Sequence, residues 1–438
     1  QLQPVTLELV QAEVPNDMAL VEFHAYRPFD ATADRGERWG RTRYVAYILR
    51  HDNRPVWAGL GDAEAIDAAA LAFRQAIAQR GSDITRKARE MDALTMEKIR
   101  PLLGDVTKLI LAPDAALSLI PFAALADENQ RYLIERFTLS YVTSGRDLLR
   151  WTATEPSREP PLVVGGALFD APPTKSRGAA RRSTDMSELR FGPLPGTVLE
   201  AQEIGRLLGL PADRVLIAER ADEAAVKAVS GPRILHLATH GFFLADQPQV
   251  LPAWPARQMS KSPGREHPLL RSGLALNGFN NRRSAQGPDD GVLTALEAAN
   301  LDLWGTEVVV LSACETGLAD VRAGQGVFGL RRALALAGSR SQLMTLWKVA
   351  DEPTRDFMIS WYRQILAGVP RAEALREVQL AFLHGDPVPM SEKRGVRLAK
   401  LEKKQLASSN RKHPYYWAAF ILSGESGPVS PETMKLAQ

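Results

Sequence analysis

The chain contains one cysteine, Cys314, and a thiol is well suited to attack a carbonyl carbon. It stands in the run Val308-Val309-Val310-Leu311-Ser312-Ala313-Cys314-Glu315-Thr316-Gly317. The apolar, mostly β-branched start of that run reads as a buried strand. The small residues and the Thr-Gly break that follow put the thiol at the strand's carboxyl tip, the edge where open α/β sheets build their sites. A second run has the same form: Arg233-Ile234-Leu235-His236-Leu237-Ala238-Thr239-His240-Gly241-Phe242-Phe243. It too is apolar and ends in a polar, glycine-containing turn, with His240 the last side chain before the glycine. If the two strands are parallel neighbours, thiol and imidazole meet at one end of one sheet. That is the minimum apparatus of a cysteine hydrolase.

A free thiol with a pKa of ~8.5 is mostly protonated at neutral pH, so Cys314 needs a base, and His240 is the candidate. The Gly241 N–H can approach a developing oxyanion closely, although a plain turn glycine fits the spacing as well. The N–H of Cys314 itself is the natural second donor. Asp289, Asp290, Glu315, Asp320 and Asp351 lie near the two strand tips and are candidates to line a pocket for a basic side chain. The alternative for them is a solvated rim or helix caps, with Asp351 the best placed to cap. His236, flanked by Leu235 and Leu237, reads as a buried, hydrogen-bonded histidine. His267 and His413 have weaker claims, and His24, His51 and His384 read as structural or solvated.

The bulk numbers bound the rest. At 438 residues, 45% hydrophobic and 24% charged, the chain is an ordinary globular protein with room for two or three domains. A net charge of +3 argues for neither nucleic acid nor membrane. One cysteine allows no intramolecular disulfide, which suits a reducing cytoplasm. Seven histidines without metal-ligand spacing give no metal site. No apolar run is long enough to cross a bilayer, and no signal peptide opens the chain. It begins at Gln1 without an initiator methionine and is read as a trimmed or processed chain.

The elements that must position these residues alternate. Residues 18–60 read as a strand-rich meander. Helices follow at Asp62–Gln79 and Met91–Leu103, then strands at Lys108–Asp114 and Phe137–Val142. Residues 155–161 are a Pro- and charge-rich linker. Beyond it, strands are expected at Leu162–Gly166, Arg214–Ala218, Ser272–Phe279, Gln342–Trp347 and Tyr415–Leu422, besides the two already described. Helices are expected at Thr197–Leu208, Asp222–Val229, Leu293–Asn300, Gly326–Leu336, Glu352–Leu366 and Arg371–Leu383. The stretches 171–190, 246–270 and 391–412 read as loops. This alternation predicts an α/β fold with a mostly parallel sheet covered on both faces. The division is an N-terminal α/β domain at 1–155, which holds no nucleophile, and a C-terminal domain at 160–425.

Several of these runs resemble motifs of the CHAT domain family, bacterial relatives of caspases and separase. They are His236-Leu237-Ala238-Thr239-His240-Gly241-Phe242, Asp290-Gly291-Val292-Leu293-Thr294-Ala295, Val309 to Gly317, Leu346-Trp347-Lys348-Val349-Ala350-Asp351 and His413 to Phe420. Leu111 to Leu117 and Ile120 to Leu125 extend the likeness into the first half. The resemblance implies a caspase-like three-layer sandwich and a Cys–His dyad, with His240 the general base and Cys314 the nucleophile. It implies that residues 1–155 form a pseudo-protease domain. It also implies a protein or peptide substrate, control by a sensor domain or partner, and no cofactor. Caspases have Gln-Ala before the nucleophile; here Ser312-Ala313 precedes Cys314 and Glu315 follows. Cleavage after a basic residue is therefore expected rather than cleavage after aspartate. The competing reading is a catalytically silent scaffold of the same fold.

Overall fold

Runs of buried β-branched residues need partners for every backbone N–H and C=O, and here they find them in one large sheet. The structure, a computed structural model, describes residues 4–34, 36–151, 155–172, 183–244, 266–285, 287–312, 324–347, 349–386 and 409–437. The first half contains α1 (Leu7–Ala12), β1 (Met18–Tyr26), β2 (Arg43–Leu49), β3 (Val56–Asp62) and α2 (Ala63–Ala78). It continues with α3 (Ile84–Leu94), α4 (Met96–Ile99), β4 (Lys108–Ala112), α5 (Leu133–Arg136) and β5 (Thr138–Tyr141). Asp62 caps α2 by accepting from the Glu64 N–H, and Ile66, Ala70, Phe73 and Ile77 form its buried stripe.

The second half opens with β6 (Leu162–Ala167), α6 (Pro195–Leu207), β7 (Val215–Ala218), α7 (Glu223–Lys227) and β8 (Ile234–Ala238). Then come β9 (Gly241–Phe243), β10 (Ser272–Ala275), β11 (Val292–Thr294), α8 (Ala295–Ala298) and β12 (Val308–Leu311). After these come α9 (Gly324–Leu336), β13 (Ser341–Thr345), α10 (Asp351–Leu366), α11 (Arg371–His384) and β14 (Phe420–Gly424), with a short helix at Pro431–Met434 beyond.

The large sheet has the order β3-β2-β1-β4-β5-β14-β13-β12-β8-β6-β7, and β11-β10-β9 form a small second sheet. The segments 1–155 and 160–425 both contribute to the large sheet, meeting where β5 pairs with β14. β14 is parallel to β5 and antiparallel to β13. The carboxyl ends of β4 and β5 therefore lie on the edge opposite to those of β8, β12 and β13. Right-handed crossovers that move in opposite directions along the sheet, β6–α6–β7 and β12–α9–β13, put α6 and α9 on opposite faces. α10 packs on α6 and α11, while α8 and the small sheet pack with α9. The result is the expected three-layer α/β sandwich.

Arg371 fixes the start of the central strands. Its buried guanidinium donates to the Glu307 carbonyl and the Ser341 hydroxyl, each at 2.9 Å, and pairs with Glu425 at 3.0 Å. Burial lowers the Arg371 pKa, and Glu425 opposes that shift. Where β12 and β13 begin decides where they end, so this knot helps set the opposite edge.

Local pattern misleads at four points. The expected helix over Met91–Leu103 begins earlier, at Ile84, and breaks at Thr95, whose hydroxyl donates to the Met91 carbonyl at 2.7 Å. The expected strand over Ser272–Phe279 stops at Ala275. The run from Arg233 to Phe243 divides into β8 and β9. The aromatic run from Tyr415 is not a strand at first. Pro414–Trp417 is a helical turn capped by His413, and pairing begins only at Phe420. Of the expected loops, 173–182, 246–265 and 391–408 lie outside the described residues.

Candidate active site

β8 and β12 are parallel neighbours, with Leu311 opposite Leu237. The Ser312 N–H extends the ladder by donating to the Leu237 carbonyl at 3.0 Å. Every residue of both strands is buried, as in a parallel sheet covered on two sides. Both strands finish at the same edge. Cys314, Glu315 and Asp320 lie outside the described residues.

His240 sits two residues past the end of β8. Its backbone is fixed by the small sheet: the Ala275 N–H donates to the His240 carbonyl at 2.8 Å, and Gly241 pairs with Leu274. The Thr239 hydroxyl donates to the Ala275 carbonyl. The chain thus leaves the large sheet at Ala238 because Ala275 offers new partners.

The imidazole is 4% exposed and stacks on Phe191, with ring centroids 4.5 Å apart and planes 14° apart. Phe169 tilts against it at 5.1 Å. Its Nε2 lies 2.9 Å from the Gly192 carbonyl oxygen. A carbonyl oxygen only accepts, so Nε2 carries a proton in this contact. In the neutral ring the lone pair is then on Nδ1, which makes Nδ1 the basic nitrogen.

His236 has different surroundings. It is fully buried, its Nδ1 is 3.2 Å from the Tyr362 hydroxyl on α10, and its Nε2 is 3.2 Å from Glu200 on α6. The Glu200 contact has the length of an ion pair but not the angles of a hydrogen bond. Burial holds the Tyr362 hydroxyl well above its usual pKa, so it stays protonated as a donor. The two histidines of one run therefore occupy separate sites.

Two of the acidic candidates, Asp289 and Asp290, are engaged in the fold. Asp290 is 1% exposed, and its Oδ1 accepts from the Val292 N–H at 3.1 Å. Asp289 lies 3.4 Å from Lys227, which also pairs with Glu223 at 2.5 Å and Glu297 at 2.9 Å. Glu223 accepts from the Gly291 N–H, and burial pushes its carboxyl up to about 8 against the pull of Lys227. Burial alone would lower Lys227, but Glu223 and Glu297 more than offset it and hold it above its usual range. The N-cap of α10 is Ala350, one residue before Asp351, so the cap expected of Asp351 falls elsewhere. His267 and His413 each cap a short helical turn through Nδ1.

Phe169, Phe191 and Gly192 were not singled out by sequence reasoning. Phe191-Gly192 directly follows a polar stretch that reads as loop. A lone aromatic next to a glycine, just ahead of a helix, is the one signal that marks it.

Among the described residues no helix is long and apolar enough to cross a membrane. Relatives over this region include human tetratricopeptide repeat protein 28, 25% identical across 77% of this chain and 13% of that protein. The mouse protein of the same name is 24% identical across 77% of this chain and 13% of its own length. The chain thus spans about an eighth of the curated relatives it matches. Among solved structures, a Saccharomyces cerevisiae separase–securin complex aligns with 95% of this chain and 30% of the matched chain, at 8% identity and a TM-score of 0.46. The family model described as the CHAT domain matches residues 85–425. With that match across well over half of its length, the chain belongs to the CHAT domain family.

Proposed function

We propose that this protein is a cysteine endopeptidase that works through a Cys314–His240 dyad. The observation that carries the reading is the tautomer set at His240: the Gly192 carbonyl holds Nε2–H, which leaves Nδ1 as the base at the edge where β8 and β12 both end. The Cys314 thiol gives its proton to Nδ1 and its sulfur attacks the scissile carbonyl carbon. The N–H groups of Gly241 and Cys314 hold the oxyanion. The tetrahedral species collapses, the C–N bond breaks, and Nδ1–H protonates the leaving amine. A water molecule then gives a proton to Nδ1 and hydrolyses the thioester. While the ring is protonated, the Nε2–H bond to Gly192 becomes charge-assisted and stronger. No cofactor takes part in these steps.

The preferred residue before the cut is arginine or lysine. The support is Glu315 beside the nucleophile and the absence of the caspase glutamine before it. A sensor domain or protein partner controls activity. That reading is supported by relatives named for tetratricopeptide repeats, a helical module suited to binding proteins. The test is a matched set of peptides ending in Arg, Lys or Asp before the scissile bond. Faster cleavage after Arg or Lys is expected; faster cleavage after Asp would overturn the assigned preference.

A further inference from the structure

The Gly192 carbonyl can orient His240 only if the backbone that carries it is held. The space beside the residue 192 α-carbon is open, since a Cβ there would meet no atom within 4 Å. The hold comes from the preceding residue. The Asn280 side chain accepts from the Phe191 N–H at 3.0 Å and donates to the Phe191 carbonyl at 2.9 Å. It thereby fixes the peptide planes on both sides of Phe191. The same Nδ2 donates to Asp170 Oδ1 at 2.8 Å, and the Asn280 N–H donates to the Phe169 carbonyl at 2.9 Å. Phe191 can only donate from N and accept at O, so these contacts also fix which way round the amide sits.

The surrounding turn acts as a clasp. Asn281 Nδ2 donates to the Asp170 and Ala171 carbonyls, and the Arg282 guanidinium donates to the Met186 and Leu189 carbonyls. Both feet of the 169–191 segment are tied to residues 280–282. Phe169 and Phe191, the two rings against His240, stand one on each foot.

We propose that Asn280 is a positioning residue for His240, acting through the Phe191–Gly192 backbone. This inference rests on the reading of His240 as the base. Without Asn280 the Gly192 carbonyl and the Phe191 ring lose their fixed approach to the imidazole. Nε2–H is then no longer enforced, and Nδ1 is less often available to take the thiol proton.

Cys314 is the only cysteine, so alkylation by iodoacetamide reports on this thiol alone. The rate is measured against pH for wild type, Asn280→Ala, His240→Ala and Glu188→Ala in the full chain. Glu188 is an exposed residue on the same segment and controls for general loosening. Wild type is expected to react with an inflection well below the ordinary thiol value of ~8.5. In Asn280→Ala the inflection moves up toward that value and the rate at neutral pH falls on the order of tenfold. Glu188→Ala keeps the wild-type profile. A wild-type inflection in Asn280→Ala, or an equal shift in Glu188→Ala, would overturn the role of Asn280. A wild-type profile untouched by His240→Ala would instead overturn the dyad, and the positioning role with it. If Asn280→Ala does not unfold cooperatively, Asn280→Ser, neutral and too short to span Phe191, is judged by the same outcomes.

Discussion

The Nε2 atom of His240 stands 2.9 Å from the carbonyl oxygen of Gly192, and this contact decides which nitrogen of the ring can accept a proton. The two residues are 48 apart in sequence and the chain between them runs through α6, β7, α7 and β8, so the pairing is a product of topology rather than of neighbouring sequence. Nδ1 is left as the ring's basic nitrogen, and Phe191 stacks on the imidazole with planes 14° apart.

Tyr362→Phe removes the hydroxyl that meets Nδ1 of the buried His236. The buried Nδ1 then loses its hydrogen-bond partner, at a cost of about 1–3 kcal/mol. A urea titration should show that loss, while cleavage per folded molecule stays near wild type. A large loss of turnover at unchanged stability would mean that His236 takes part in the reaction.

Gly291 has φ +84°, a left-handed conformation that side chains rarely adopt. A Cβ added there would fall on the Asn277 carbonyl oxygen and within 2.7 Å of the Phe279 nitrogen. Gly291→Ala should therefore destabilise the fold by about 1–3 kcal/mol, read as a lower midpoint in denaturant. An unchanged midpoint would show that this turn yields more easily than its packing implies.

Glu223 binds its proton more tightly in the folded chain than its ordinary value of 4.5, because burial pushes it to about 8. The stability this contributes is fully present below about pH 4.5 and is lost as pH rises through about 8. Glu223→Gln keeps an acceptor for the Gly291 N–H and removes the titration. The stability advantage of wild type over Glu223→Gln should shrink steadily between pH 5 and pH 8, taken as roughly the two ends of this window. Parallel profiles for the two proteins would contradict the assigned direction.

Much of this arrangement is legible in the sequence because burial leaves a local mark. Val308–Leu311 and Ile234–Ala238 are buried throughout; the first reads as an unbroken apolar run and the second as one interrupted only by His236. The spacing of Ile66, Ala70, Phe73 and Ile77 gives α2 directly. The likeness of motifs points to the CHAT domain family, and the family match over residues 85–425 agrees. Long-range partners leave no such mark. Nothing local shows that β14 turns against β13 while running with β5. Aromatic Tyr415–Trp417 favours a strand by side chain, but Pro414 and the His413 cap favour a helical turn, and the cap wins. Asn280 lies in a polar run, and its partners, the Phe169 and Phe191 backbone and the Asp170 carboxylate, are about 90 to 110 residues away in sequence.

The central claim, a Cys314 nucleophile served by His240, is tested most directly by cleavage of a peptide library varied before the scissile bond. Wild type, Cys314→Ala and His240→Ala are compared on the same library, with matched unfolding curves. A Cys–His dyad predicts cleavage by wild type, none by Cys314→Ala, and a loss of roughly 10²–10⁴-fold in His240→Ala. Cleavage by Cys314→Ala at a substantial fraction of the wild-type rate would contradict it.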